Sequence, residues 1–306
     1  GTTTYPLILL LTKTDRQSFN YVHLRDASED DVIQWLSSVE SKSAKIDIER
    51  VEAGKPWIFP TKKEKKVVSS LNSATEITLE DLCSEISTGI KTNLKEAYVF
   101  DPEDSTDHIE SEILKPVLDG ADIRRFSHPD VGKQIIYPYN DNNGELKPVD
   151  LDQYPGAKSH LNKFRDELDT SWSLEKQTEE MGKEWFEFPY TSENLLSPKV
   201  LFPDISPEPR STFDKSGEIL ILNTAYGAVL EDGLDLDVRY ITALFNSAPL
   251  RFMFKTISPI LSGGYYRFQT QYVGQLPIKQ IDFGLNPESR SVTVESYLDE
   301  NITDAA

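Results

Sequence analysis

Ser262 to Gln269 reads SGGYYRFQ. Gly263 and Gly264 carry no Cβ, so they permit a tight turn or a close approach of backbone to a ligand. Tyr265, Tyr266 and Phe268 are flat stacking surfaces, and Arg267 is a planar cation with donors in a fixed fork. Readers of nucleic acid combine stacking faces with cations in this way. In a strand, Tyr266 and Phe268 share one face and Tyr265 and Arg267 the other. We expect the first pair to be buried and Arg267 to face a nucleic acid, where it could grip guanine or pair with phosphate. Gln269 is a further candidate contact. A simple glycine turn ahead of core tyrosines is the structural alternative.

Three other clusters have suitable chemistry. Gly89, Lys91, Thr92 and Asn93 form a polar loop after a predicted helix end, placed for a backbone or base contact. Arg124 and Arg125 follow Asp119 and Asp122, which suits either surface ion pairing or phosphate contact. Arg251 and Lys255 lie four apart, on one face of a predicted helix. They match a phosphate-contacting pair or a solvated face. Lys62, Lys63, Lys65 and Lys66 are a short basic run that reads as a solvated helix face, the usual case, or as a phosphate contact.

Other chemistries are poorly represented. His23, His108, His128 and His160 are scattered without metal-ligand spacing, and Cys83 alone cannot build a zinc cluster. No glycine-rich phosphate loop and no nucleophile-elbow serine occurs. One enzymatic pattern survives. Asp130, Glu145 and Lys147 could hold a divalent cation and orient a water, as in a metal-dependent nuclease. Asp130 precedes its strand and Pro148 follows Lys147, and acid-rich chains produce such patterns by chance.

The formal net charge is −19, from 32 basic and 51 acidic residues. That argues against a generic nucleic-acid patch while allowing a small basic face on an acidic body. It also suits a third class, an interaction module that docks a basic subunit or mimics DNA. A lone cysteine permits no intrachain disulfide, which fits a cytoplasmic location. The longest apolar run, Pro6 to Leu11, is too short to span a bilayer, so no membrane association is expected. Gly1 stands where Met is usual, and the chain enters that apolar run at once. We expect a piece of a longer protein.

These residues need elements to position them. Residues 1–60 read as a small α/β piece: strands at Tyr5 to Leu11, Asn20 to Leu24 and around Ile46 and Ile48, with a helix begun by Ser28 that places Val32, Trp35, Leu36 and Val39 on one face. A linker at 61–74 follows. Residues 75–285 form the main domain, and 286–306 are a polar, acidic tail. Thr78 to Asp81 carries a helix-start pattern, with Leu79, Leu82 and Ile86 inward and Gly89 as a left-handed C-cap. Strands are expected at Ala97 to Phe100, Gln134 to Tyr139, Glu218 to Leu222 and Tyr226 to Leu230. Lys199 to Ser206 (KVLFPDIS) reads as a buried strand ending in a turn. Helices are expected at Pro155 to Thr170, Val238 to Phe245 and Leu250 to Ile257, the last with Pro249 in its first turn.

Several segments together resemble the TaqI-like C-terminal specificity domain of adenine-specific DNA methyltransferases and type II restriction-modification enzymes. They are Thr78 to Asn93 (TLEDLCSEISTGIKTN), Leu114 to Phe126 (LKPVLDGADIRRF), Ile135 to Tyr139 (IIYPY), the His160 to Leu168 helix, Lys199 to Ser206, Phe245 to Ser247 (FNS), and Gly264 to Phe268 through Leu276 to Ile278. Their order and spacing over roughly 75–280 carry the resemblance. It implies an α+β mixed-sheet target-recognition domain, preceded by a small α/β remnant of a methyltransferase domain. It implies double-stranded DNA as partner. The family's catalytic half carries an Asn-Pro-Pro-Tyr-type motif and a glycine-containing S-adenosylmethionine motif, and this sequence has neither. The intact protein would therefore methylate adenine using S-adenosylmethionine bound by a missing N-terminal half. This chain would choose the site and bind no cofactor itself.

Overall fold

The structure is a computed structural model that describes residues 18–21, 44–47, 62–129, 131–142, 145–169, 182–234 and 236–280. The chain divides into two compact units, Gly1–Ser73 and Ala74–Ala306.

In the first unit, β1 (Ser18–Tyr21) pairs antiparallel with β2 (Ala44–Asp47), Phe19 opposite Ile46. The strand expected at Tyr5 to Leu11 and the helix expected after Ser28 lie outside the described residues. Helix α1 (Lys62–Asn72) occupies the expected linker and carries the lysine run in its first turns.

The second unit is built on a four-stranded antiparallel sheet. Its order is β11 (Thr212–Asp214), β9 (Lys199–Pro203), β13 (Ala225–Leu230) and β3 (Cys83–Thr88). All five residues of β9 are buried, because both faces of the sheet are covered. On one face Phe202 stacks on Phe245 of α5 (Val238–Asn246), with centroids 5.5 Å apart. Phe268 stacks at 4.3 Å on Phe254 of α6 (Ala248–Ile257). On the other face Leu201 and Ala225 join a core with Val117, Ile135, Phe188 and Leu220. Helix α7 (Thr270–Val273) is tied back to the sheet by the Thr270 hydroxyl, which donates to Ile86 O at 3.0 Å.

That second core belongs to a mixed sheet of order β12 (Leu220–Ile221), β5 (Leu114–Leu118), β6 (Lys133–Ile136) and β4 (Val99–Phe100). β12 runs parallel to β5, and the other pairs are antiparallel. Around it pack α2 (Lys95–Tyr98), α3 (Pro155–Asn162), α4 (Arg165–Asp169) and the hairpin of β7 (Tyr139–Asn142) with β8 (Glu145–Pro148). A third, antiparallel sheet has the order β10 (Ile205–Ser206), β15 (Tyr265–Arg267), β14 (Ile260–Leu261). The architecture is α+β, as expected.

Several element expectations need correction. The helix expected from Thr78 to Gly89 is a single 3-10 turn, Glu80–Leu82, followed by strand β3. The start signal is real: the Thr78 amide and hydroxyl donate to the Asp81 carboxylate at 2.8 and 2.7 Å. Past that turn, the β-branched Ile86 and Thr88 favour extended backbone, and pairing with β13 decides the outcome. Gly89 is consequently no helix cap, and its φ is not positive. It is glycine because a Cβ would sit 2.2 Å from the Ile221 carbonyl oxygen. The Ala97 to Phe100 strand opens with the helical turn α2 and is extended only over β4. The Gln134 to Tyr139 strand splits at Pro138, which has no amide hydrogen to continue a ladder. The long helix from Pro155 breaks at Lys163 into α3 and α4.

Candidate nucleic-acid interface

Strand β15 alternates as its sequence requires. Tyr266 and Phe268 are buried, Tyr265 is 42 % exposed, and the Arg267 side chain is also 42 % exposed. Gly263 and Gly264 both have φ of 79°, a conformation that favours glycine. Ile205 lies directly opposite Arg267 on β10 and is exposed too. The outer face of the small sheet therefore presents a cation, an aromatic ring and an aliphatic side chain.

Asp204 sits beside this face, at the bend between β9 and β10. Its amide donates to Thr224 O and its carbonyl accepts from the Phe268 amide, both at 2.8 Å, so its backbone is pinned on two sides. Its Oδ1 is 3.5 Å from Arg267 Nε. Tyr226, which stacks on Phe202, lies within electrostatic reach of Asp204, Arg267 and Tyr190. Burial and then the Asp204 charge push the Tyr226 phenol above its ordinary pKa, with Arg267 opposing.

Two of the sequence-derived clusters connect to this face. The Lys91 amide donates to Tyr190 O at 3.1 Å, fixing the loop that carries exposed Lys91 and half-buried Thr92 and Asn93. On the other side, Thr224 links Asp204 to the Asp119 to Phe126 segment, because its hydroxyl accepts from the Gly120 amide at 2.9 Å. Lys133 bridges Asp119 and Asp122, at 2.9 and 2.8 Å, and shapes that loop. Arg124 folds back to donate to the carbonyls of Ala121 and Ile123. Arg125 lies over the Phe126 ring at 5.0 Å, and Arg210 donates to Gly120 O at 3.2 Å. Burial, and then the neighbouring Arg124 charge, lower the Arg210 pKa. Asp119 and Asp122 thus pair with Lys133, leaving the arginines to backbone and ring.

The third cluster lies elsewhere. Arg251 and Lys255 both bind Glu208, the former at 2.8 Å. The Lys255 ammonium lies over the Tyr266 ring at 5.6 Å. Tyr266 points to the opposite face of β15 from Arg267. Gln269 precedes α7, and its carbonyl accepts from the Tyr272 and Val273 amides. The nuclease candidate falls partly outside the described residues. Asp130 is outside the described residues, Glu145 and Lys147 lie on β8, and among the described residues no group of three or more metal-ligating side chains converges.

Sequence reasoning missed Asp204, Glu208, Arg210 and Tyr226. The first was in view as part of KVLFPDIS, but only the fold brings it to Arg267, 63 residues on.

The fold and site define an α+β module with two cores and a mixed cationic and aromatic surface. Residues 115–278 match the TaqI-like C-terminal specificity domain, and the chain belongs to that family. Among curated proteins it is similar to the type II methyltransferase M.BanIII of Aneurinibacillus aneurinilyticus, 27% identical over 241 residues, covering 76% of this chain and 40% of that protein. It is also similar to M.PaeR7I of Pseudomonas aeruginosa, 27% identical over 235 residues, covering 76% and 38%. The chain therefore spans about two fifths of the length of these relatives. Among solved structures, the type IIL restriction-modification enzyme MmeI in complex with DNA superposes with a TM-score of 0.50 at 14% identity, covering 73% of this chain and 28% of that one. That likeness supports the fold.

Proposed function

We propose that this chain is the site-choosing part of an adenine-specific DNA methyltransferase or restriction-modification enzyme. Its action is binding: cationic side chains on phosphates set register, and a few side chains in a groove specify bases. The observation that carries this reading is β15, which turns Tyr265 and Arg267 outward within a specificity-domain sequence. Arg267 and Lys91 are the principal contacts. Gly89, Thr92, Asn93, Gly263, Gly264, Tyr265 and Gln269 shape or extend the same surface. Arg124 and Arg125 supply phosphate contacts along the adjoining loop. For Arg251 and Lys255, contact with DNA requires exchanging the Glu208 carboxylate for a phosphate.

Methylation of a flipped adenine is proposed for a longer protein whose methyltransferase half binds S-adenosylmethionine. In this reading residues 1–60 are the remnant of that half. The cleft bordered by Phe126, Thr212, Arg239 and Asn246 has an inner volume of about 20 Å³, room for about one water and not for a nucleoside.

The test is fluorescence anisotropy of the chain with random duplexes at low salt, followed by sequencing of the retained DNA. We expect a short enriched motif. Arg267→Ala and Lys91→Ala should each weaken binding to it by about tenfold or more, given about 1–3 kcal/mol for a good specific contact. Unchanged binding in both variants removes the assignment.

A further inference from the structure

Asp204 is the anomaly on the proposed face. A carboxylate there repels phosphate, so it does not serve backbone contact. Nor is it committed internally. Its Oδ1 is buried without a hydrogen-bond partner, and so is Arg267 Nε, only 3.5 Å away. The separation gives charge attraction without an aligned bond. Ser206 Oγ, on the adjoining strand, is a third buried polar atom without a partner. Buried polar groups are nearly always paired, so three unmet atoms side by side call for a partner, and a ligand group is one that can supply it. Backbone bonds on both sides of Asp204 hold its main chain beside Arg267. The Asp204 side chain is 20% exposed overall although Oδ1 itself is buried, so an incoming donor meets the side chain at the surface and reaches Oδ1 by a side-chain rotation.

We propose that Asp204 is a specificity-determining residue whose carboxylate accepts a hydrogen bond from the exocyclic amino group of a base in the major groove. Cytosine N4 and adenine N6 both offer that donor. Arg267 beside it takes a guanine of the same or the next base pair. Acid and cation then divide the labour: each pays for the other's desolvation, and together they reject a base edge with acceptor and donor exchanged. This inference rests on the reading of the chain as a DNA reader.

The experiment repeats the random-duplex selection with the wild-type chain, Asp204→Asn and Arg267→Lys, alongside binding to a scrambled duplex. Asp204→Asn, which keeps an acceptor oxygen but adds an amide donor suited to adenine N7, should shift the preferred base at one position toward adenine or lower discrimination there by about tenfold, and leave other positions unchanged. Arg267→Lys should relax the same or the adjacent position. Affinity of the Asn variant for the scrambled duplex should rise, because a negative charge facing phosphate has gone. A purely structural role for Asp204 would instead weaken both duplexes together. The base enriched by the wild type distinguishes cytosine from adenine. If Asp204→Asn selects the wild-type motif unchanged, the inference falls while the DNA-reading function stands. If the wild type enriches nothing, both fall for this chain. Asp204→Ser, smaller and uncharged, gives the same readout should the Asn variant fold poorly.

Discussion

Lys199 shows how one residue can be both structural and hard to foresee. It is fully buried and donates to Asp214 Oδ2 at 2.8 Å and to Ser197 O at 3.0 Å. Asp214 also accepts from the Ser216 hydroxyl and from the Gly217 and Ile219 amides, each at 2.9 Å. The two partners are therefore unequal. Without Lys199, the carboxylate keeps three donors. Without the carboxylate charge, a buried ammonium is left with one carbonyl. Asp214→Asn should cost about 3–5 kcal/mol, and Lys199→Met clearly less. Urea unfolding of both variants checks the order, and a larger loss for Lys199→Met would refute it. Lys199 was legible as the start of a buried strand. Its partner was not, because the β9–β11 register that brings Asp214 opposite it depends on a connection the sequence does not specify. Arg251 and Lys255 teach the same lesson. Their four-residue spacing was plain, but Glu208 lies 43 residues before Arg251 and only the fold brings it there.

Elements were legible where one local rule acts alone. The alternation from Tyr265 to Phe268 is a property of any strand with one buried face. Asn246–Ser247 was readable as a helix end, and the structure adds why it stays put. Asn246 Oδ1 accepts from the Ser211 amide, and its Nδ2 donates to Ser211 O, both at 2.9 Å. Residues 78–89 misled because Leu79, Leu82 and Ile86 satisfy helical spacing, while the decisive partner, β13, is more than a hundred residues away in sequence. The two glycine sites turn this into a test. A left-handed cap tolerates Asn, and a close backbone approach tolerates no side chain. Gly89→Asn should destabilise the protein by more than about 2 kcal/mol, since the Ile221 carbonyl must move. Gly263→Asn, at φ 79°, should cost under about 1 kcal/mol. Thermal melts of the pair decide it, and equal losses would return Gly89 to the helix-cap reading.

For the whole molecule, the excess of 51 acids over 32 bases works against both compactness and DNA. Opposing the first effect are carboxylates tied into the fold. Burial raises the pKa of Asp214, Asp119, Asp237 and Glu85, but Lys199, Lys133, Arg239 and Ser192 respectively, acting together with the other hydrogen bonds and charges at each carboxylate, more than offset it, and all four end below their ordinary values. Groups held low in the fold stabilise it fully above the unfolded carboxylate range near pH 4, and that contribution is lost as pH falls through their folded values. Stability should therefore hold from neutrality down to about pH 5 and collapse below about pH 4, which a series of melts against pH will show. Salt separates the two global effects. It screens the self-repulsion of a chain at −19, so raising NaCl from 50 to 500 mM at pH 7.5 should raise the melting temperature. The same salt should weaken DNA binding with a log–log slope of about −3 to −4, if Lys91, Arg124, Arg125 and Arg267 each displace one counterion. Stability and affinity would then move in opposite directions with one variable. A melting temperature that falls with salt would mean the acids are already neutralised by partners within the fold, and a flat binding curve would mean that the cationic face never meets phosphate.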